Sequence, residues 1–177
     1  MRDNSYEQKR WLIYCLIGLV FGVVDWYYLD LLAHFSWGKL GKSPLVIPII
    51  IALNYGIWLV PVLPIAIYEV HRYKSARLSA VAGITVWSSA ILSYYTYYTA
   101  LLAFWGLPHM DYLLVFGKRS PTFWQDWARV FQKVILSQFL EWIIIAVIGG
   151  GIVGLAASRV YFYWLGRRTK VLSAEAG

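Results

Sequence analysis

Long apolar blocks constrain this chain more than anything else in it. Trp11 to Ala33, Leu45 to Tyr68 and Leu78 to Trp105 are each long and almost uniformly apolar, and a fourth block runs from near Val134 to about Ala157. A helix needs about 20 mostly apolar residues to cross a bilayer, and strands have no use for blocks this long. The pattern predicts an all-α integral membrane protein. Its four transmembrane helices fall at about 11–33, 45–68, 78–105 and 134–157, in a single membrane domain over 1–177.

Composition agrees with this reading. The chain is 60% hydrophobic and 14% charged, against about 45–50% and 25% in ordinary soluble domains. The first block is too long for a signal-peptide core, and His34, Phe35, Ser36 and Trp37 follow it in place of small cleavage-site residues, so it is expected to stay as a helix. Cys15, the one cysteine, has no partner for an internal disulfide and reads as a small apolar filler.

The net charge of +7 is concentrated at the helix ends, where anionic headgroups account for it. No nucleic-acid motif is present. With four crossings both termini share a side. That side carries Arg2, Lys9, Arg10, Arg72, Lys74, Arg77, Arg159, Arg167, Arg168 and Lys170. The other carries only Lys39, Lys42, Lys118, Arg119, Arg129 and Lys133. The positive-inside rule then predicts a plasma-membrane protein with both termini cytoplasmic and "EVHRYKSAR", Glu69 to Arg77, as a cytoplasmic loop.

The segment before the fourth span has its own pattern. Ser120 followed by Pro121 reads as a helix start. Phe123, Trp124, Trp127, Phe131 and Val134 then recur at helical spacing, with polar residues between them. An amphipathic helix over about 121–133, lying on the outer membrane surface, is expected.

Within the stretch "GLVFGVVDWYYLDLL", Asp30 lies near a helix end, within reach of headgroups or water. Asp25 lies deeper. At 1.5 Å per residue it is about 12 Å below the outer end, with Asn54 at about 13 Å and Glu141 at about 10 Å. Thr96 and Tyr97 match that depth on the third helix. Asp25, Asn54, Thr96 and Glu141 are therefore the candidate ligand- or ion-binding residues. No Lys, Arg or His falls within the spans, so the two acids have no basic partner there. Asn54 and Glu141 are the internal candidates to meet Asp25.

Smaller signals concern packing. Gly18-x-x-x-Gly22 shares a face with Asp25 and allows a close helix neighbour. The hydroxyls of Thr85, Ser89 and Thr96 suggest that their side of the third helix faces the bundle and that Tyr94 and Tyr98 face lipid. Pro61 and Pro64 free carbonyls in the second helix, as a kink does.

No nucleophile elbow, zinc-protease motif or phosphate loop is present, no cofactor is implied, and no residue set holds a metal. The expected role is a non-catalytic component of a membrane transport system or larger membrane complex. Its buried polar layer would bind a cation, a proton or a small solute. The partners would be the lipid bilayer and either further copies of the chain or other membrane subunits, with no nucleic acid. Two alternatives stay open: a purely structural or assembly subunit, and a membrane-embedded enzyme acting on lipid through Glu69, His71 and Arg72.

Overall fold

The computed structural model describes residues 4–36, 47–106, 113–115 and 118–175. Arg2, Trp37, Lys39, Lys42 and His109 lie outside that set. The chain is helical nearly throughout: α1 (Asn4–Ser36), α2 (Ile47–Gly56), α3 (Leu59–Tyr73), α4 (Ala76–Phe104), α5 (Phe123–Val130) and α6 (Ser137–Glu175). A two-residue antiparallel ribbon, β1 (Leu114–Val115) with β2 (Lys118–Arg119), precedes α5. Three helical runs are long and apolar enough to cross a membrane, and α2 with α3 makes a fourth if the bent pair is one span.

The second block is therefore not one helix. It bends by 47° between α2 and α3, and the cause is local. Pro61 has no N–H to offer the Ile57 carbonyl four residues back. That carbonyl accepts instead from Val60 N–H at 3.0 Å, and the Ile57 N–H reaches Leu53 only at 3.4 Å. The two pieces still run the length of α1. Tyr28 of α1 donates to the Leu53 carbonyl of α2 at 3.3 Å, and Tyr14 of α1 donates to Glu69 of α3 at 2.5 Å.

The expected loop from Glu69 to Arg77 is largely helix. α3 continues to Tyr73, so Glu69 is a buried helical residue and only Lys74 and Ser75 link α3 to α4. Lys74 takes the left-handed conformation, φ 51°, and Ser75 accepts from the Leu78 N–H to cap α4. Tyr161 of α6 meets both sides of this link, His71 Nδ1 at 3.0 Å and the Lys74 ammonium.

α4 is the centre of the bundle, packed against α1, α3 and α6. Its buried face carries Ala82, Gly83, Val86, Trp87, Ala90, Ile91 and Tyr95. The expectation for this helix was wrong in part. The hydroxyls of Thr85, Ser89 and Thr96 bond back to carbonyls one turn earlier on α4 itself. Of this hydroxyl group only Ser93 reaches another helix, donating to Leu19 at 2.6 Å. Tyr94, expected to face lipid, packs against the core around Trp58.

Glycine sets the close approaches. A Cβ on Gly18 would fall 2.8 Å from the Ser89 Cβ, and one on Gly22 would fall 2.9 Å from the Tyr94 nitrogen. A Cβ on Gly150 would fall 2.8 Å from the Gly83 carbonyl carbon. Backbone thus meets backbone at α1–α4 and at α4–α6, as small-residue faces permit.

The expected surface helix also differs. Ser120 and Pro121 sit in a turn, and α5 begins at Phe123. A π-helical segment, Phe131–Leu136, joins α5 to α6, so Phe123–Arg167 is one continuous run. At 45 residues it is roughly 67 Å long, far more than a bilayer core of about 30 Å needs. Its first turns are apolar because they pack on the protein. Phe123 and Val130 are buried, and Trp127 stacks on Phe131 at 5.3 Å, while Trp124 is exposed.

Candidate functional site

Asp25 follows Gly22 by one turn, so the close α1–α4 contact carries it into the protein. Its side chain is fully buried, and neither carboxylate oxygen has a hydrogen-bond partner among the described residues. Neither Asn54 nor Glu141 bonds to it, contrary to the expected pairing. Tyr94 of α4 lies beside this part of α1, its backbone nitrogen 2.9 Å from where a Cβ on Gly22 would fall.

Tyr94 is also a wall of a cleft of about 210 Å³ among α1, α2, α4 and α6. Asn54, Gln138 and Glu141 supply its polar groups, and Leu29, Trp58, Ile91, Tyr95 and Trp142 complete it. Two of the four sequence candidates, Asn54 and Glu141, thus share one cleft, and Asp25 is not among its lining residues. Thr96 does not join them. It is exposed, its hydroxyl is spent on the Leu92 carbonyl at 2.7 Å, and it lines a separate groove with Phe104, Phe131 and Phe139.

Local structure explains the cleft. The bend after Gly56 brings Trp58 into the core, where it is 4% exposed, and leaves Asn54 at the edge. The π segment ends at Leu136, just before Gln138 and Glu141 on α6. A π-helix changes the helical phase of everything after it, and such insertions are common beside functional sites. Gln138, Trp58, Tyr95 and Trp142 were not singled out from the sequence, and Tyr94 was expected to face lipid. Their signal was available in the one-turn spacing of Gln138, Glu141 and Trp142, but only the bend in α2–α3 shows what they face.

A second polar cluster lies at the other end of α1. Glu69 is fully buried, accepts from Tyr14 at 2.5 Å and pairs with Arg10, whose Nε is 3.4 Å from the same oxygen. Arg10 is 6% exposed, and its guanidinium lies 4.3 Å from the Tyr73 ring centroid and 5.0 Å from that of Trp11. This acid is neutralised within the fold, and its arrangement is that of a helix tie. It also removes Glu69 from the set with His71 and Arg72 that the lipid-enzyme alternative required at a surface.

Among the described residues, no group of three or more His, Cys, Asp or Glu is placed to hold a metal ion. Comparison with protein-family models, with curated proteins and with solved structures finds no match to this chain.

Proposed function

We propose that the protein is an integral membrane protein of the plasma membrane, crossing four times with both termini cytoplasmic. In this reading it is a non-catalytic component of a transport system or larger membrane complex. It binds a cation, a proton or a small polar solute through Asp25, Asn54 and Glu141.

The observation that carries the reading is Asp25, fully buried and without a hydrogen-bond partner among the described residues, in a bundle that also forms a cleft holding Asn54, Gln138 and Glu141. An acid at the centre of a membrane helix costs about 2.5–3.5 kcal/mol on insertion scales and is a functional residue by default. Glu69 shows how this fold holds a structural acid: its Oε1 meets an arginine and a tyrosine, although Oε2 has no hydrogen-bond partner among the described residues. Asp25 has no such arrangement, so the cost is offset by a ligand or by a role.

Asp25→Asn tests this. Its shape is nearly unchanged, so the variant is expected to insert, to purify in normal yield and to keep its melting temperature. It is also expected to lose the response of intrinsic tryptophan fluorescence to protons or alkali cations that Trp58 and Trp142 report in the wild type. A variant whose response matches the wild type overturns the reading.

The subunit reading has an observation of its own. Two apolar grooves of about 510 and 520 Å³ flank α6, one against α4 and one against α3. Native mass spectrometry of protein extracted gently from its own membrane distinguishes the cases. Co-purifying polypeptides support a complex, and a lone chain or homo-oligomer supports a self-contained binder.

A further inference from the structure

The walls of the cleft say more about its occupant than its polar groups do. Trp58, Tyr94, Tyr95 and Trp142 surround it, and their planes are held by one another. Trp58 and Trp142 have centroids 6.2 Å apart at 30°, Trp58 and Tyr94 6.5 Å at 63°, and Tyr94 and Tyr95 5.1 Å at 69°. The outer ring layer backs them. Tyr55 stacks on Trp142 at 5.6 Å, and Phe21 and Trp87 pack against Trp58. These rings are preorganised.

Among the described residues lining the cleft, Glu141 is the one with a charged side chain. No Lys, Arg or His is among the lining residues. Aromatic faces attract cations through the ring quadrupole, more strongly where water is excluded. A hard inorganic cation instead needs six or more converging oxygens, and no three His, Cys, Asp or Glu side chains converge among the described residues. The volume, about 210 Å³, is below the roughly 300–1,000 Å³ of sites for drug-sized ligands, so the occupant is small.

We propose that this cleft binds a small organic ammonium ion. The rings would hold its alkylated face, Glu141 would supply the counter-charge, and the Asn54 and Gln138 amide oxygens would accept any N–H it carries. The proposal rests on the reading that the Asp25, Asn54 and Glu141 region is a ligand site, and it specifies the chemistry of that ligand.

The test uses the full chain in lipid nanodiscs with tetramethylammonium chloride as probe, against sodium and potassium chloride at equal ionic strength and pH. Tryptophan fluorescence and calorimetry read binding, and the melting temperature of each variant checks folding. Saturable binding of tetramethylammonium at least tenfold tighter than of sodium is expected. Trp142→Leu and Glu141→Gln should each weaken it tenfold or more, and Trp142→Phe, which keeps a ring, should weaken it less. Tetramethylammonium binding that both Trp142→Leu and Glu141→Gln leave unchanged would place it elsewhere and overturn the proposal. Failure to bind tetramethylammonium, with a proton or alkali-cation response that Asp25→Asn abolishes, overturns the ammonium assignment and leaves the ligand site standing. No response to any of these probes, in wild type or variant, overturns both.

Discussion

Two buried acids show how far single residues can be read from this sequence. Asp25 was legible because it interrupts an apolar run, where any charge stands out. Glu69 was not, because "EVHRYKSAR" has the composition of a loop and its partners, Arg10 and Tyr14, are remote in the chain. Burial of Glu69 follows from α3 continuing three residues past Val70, which no local signal announced. The pair yields a stability test. Arg10→Met leaves the Glu69 carboxylate buried with only Tyr14 to support it, and breaking a buried pair by removing one partner costs about 3–5 kcal/mol. Glu69→Leu, in turn, strands the guanidinium. Both single variants should melt well below the wild type. The double variant should recover much of the loss, because two apolar side chains of similar volume strand no charge. Thermal unfolding of the four proteins in one detergent gives the coupling directly. Losses that simply add would mean that Arg10 and Glu69 act independently.

At the scale of elements, small residues were the most reliable guide and face assignment the least. Gly18 and Gly22 marked the α1–α4 contact as their spacing implied. On α4 the hydroxyl stripe was a partial guide: Ser89 meets Gly18 and Ser93 bonds Leu19 on α1, but Thr96 is exposed, and a serine or threonine in a helix can satisfy itself on the preceding turn. Thr85, Ser89 and Thr96 do so. The same face assignment misplaced Tyr94, while Thr96 entered the polar layer on depth alone. The bend in the second span was anticipated from its prolines, but its position, one turn before Pro61, follows from which carbonyl loses its donor. The α4–α6 contact carries an experiment. Gly150 meets Gly83 backbone to backbone, so Gly150→Val must push α6 away from α4. Overpacking of this kind costs about 1–3 kcal/mol. Gly166→Ala, further along the same helix with open space around it, should be neutral or stabilising by up to about 1 kcal/mol. Melting temperatures of the two variants should therefore move in different directions. A tolerated valine at position 150 would show that the helices do not approach this closely.

For the whole molecule, the number of crossings turns on the bent pair. If α2 and α3 dip in and return to the same side, the chain crosses three times and its termini lie on opposite sides. If they cross together, it crosses four times and the termini share a side. The contacts favour the crossing. α2 bonds to α1 at Tyr28, and α3 bonds to α1 at Tyr14 and pairs with Arg10. From Arg10 to Tyr28 the helix rises about 27 Å, close to the thickness of a bilayer's hydrocarbon core. A re-entrant pair would return to the end of α1 where it began and would not reach both. The α3–α4 link then lies beside the N-terminal half of α1 and beside Tyr161 of α6, and the β1–β2 ribbon lies at the far end, where Arg119 donates to the Ala103 carbonyl at 2.9 Å. Block lengths made four helices legible, but a bent span and a re-entrant pair have the same composition and differ only in what they touch. In a Cys15→Ser background, single cysteines at Ser75 and Lys118 decide between them. Four crossings place Ser75→Cys on the same side as tags at both termini and Lys118→Cys on the opposite side, when intact cells are labelled with a membrane-impermeant maleimide. With three crossings, Ser75→Cys would label from the side opposite the N-terminal tag and Lys118→Cys from the same side. The Arg10–Glu69 tie could not then form at one membrane face.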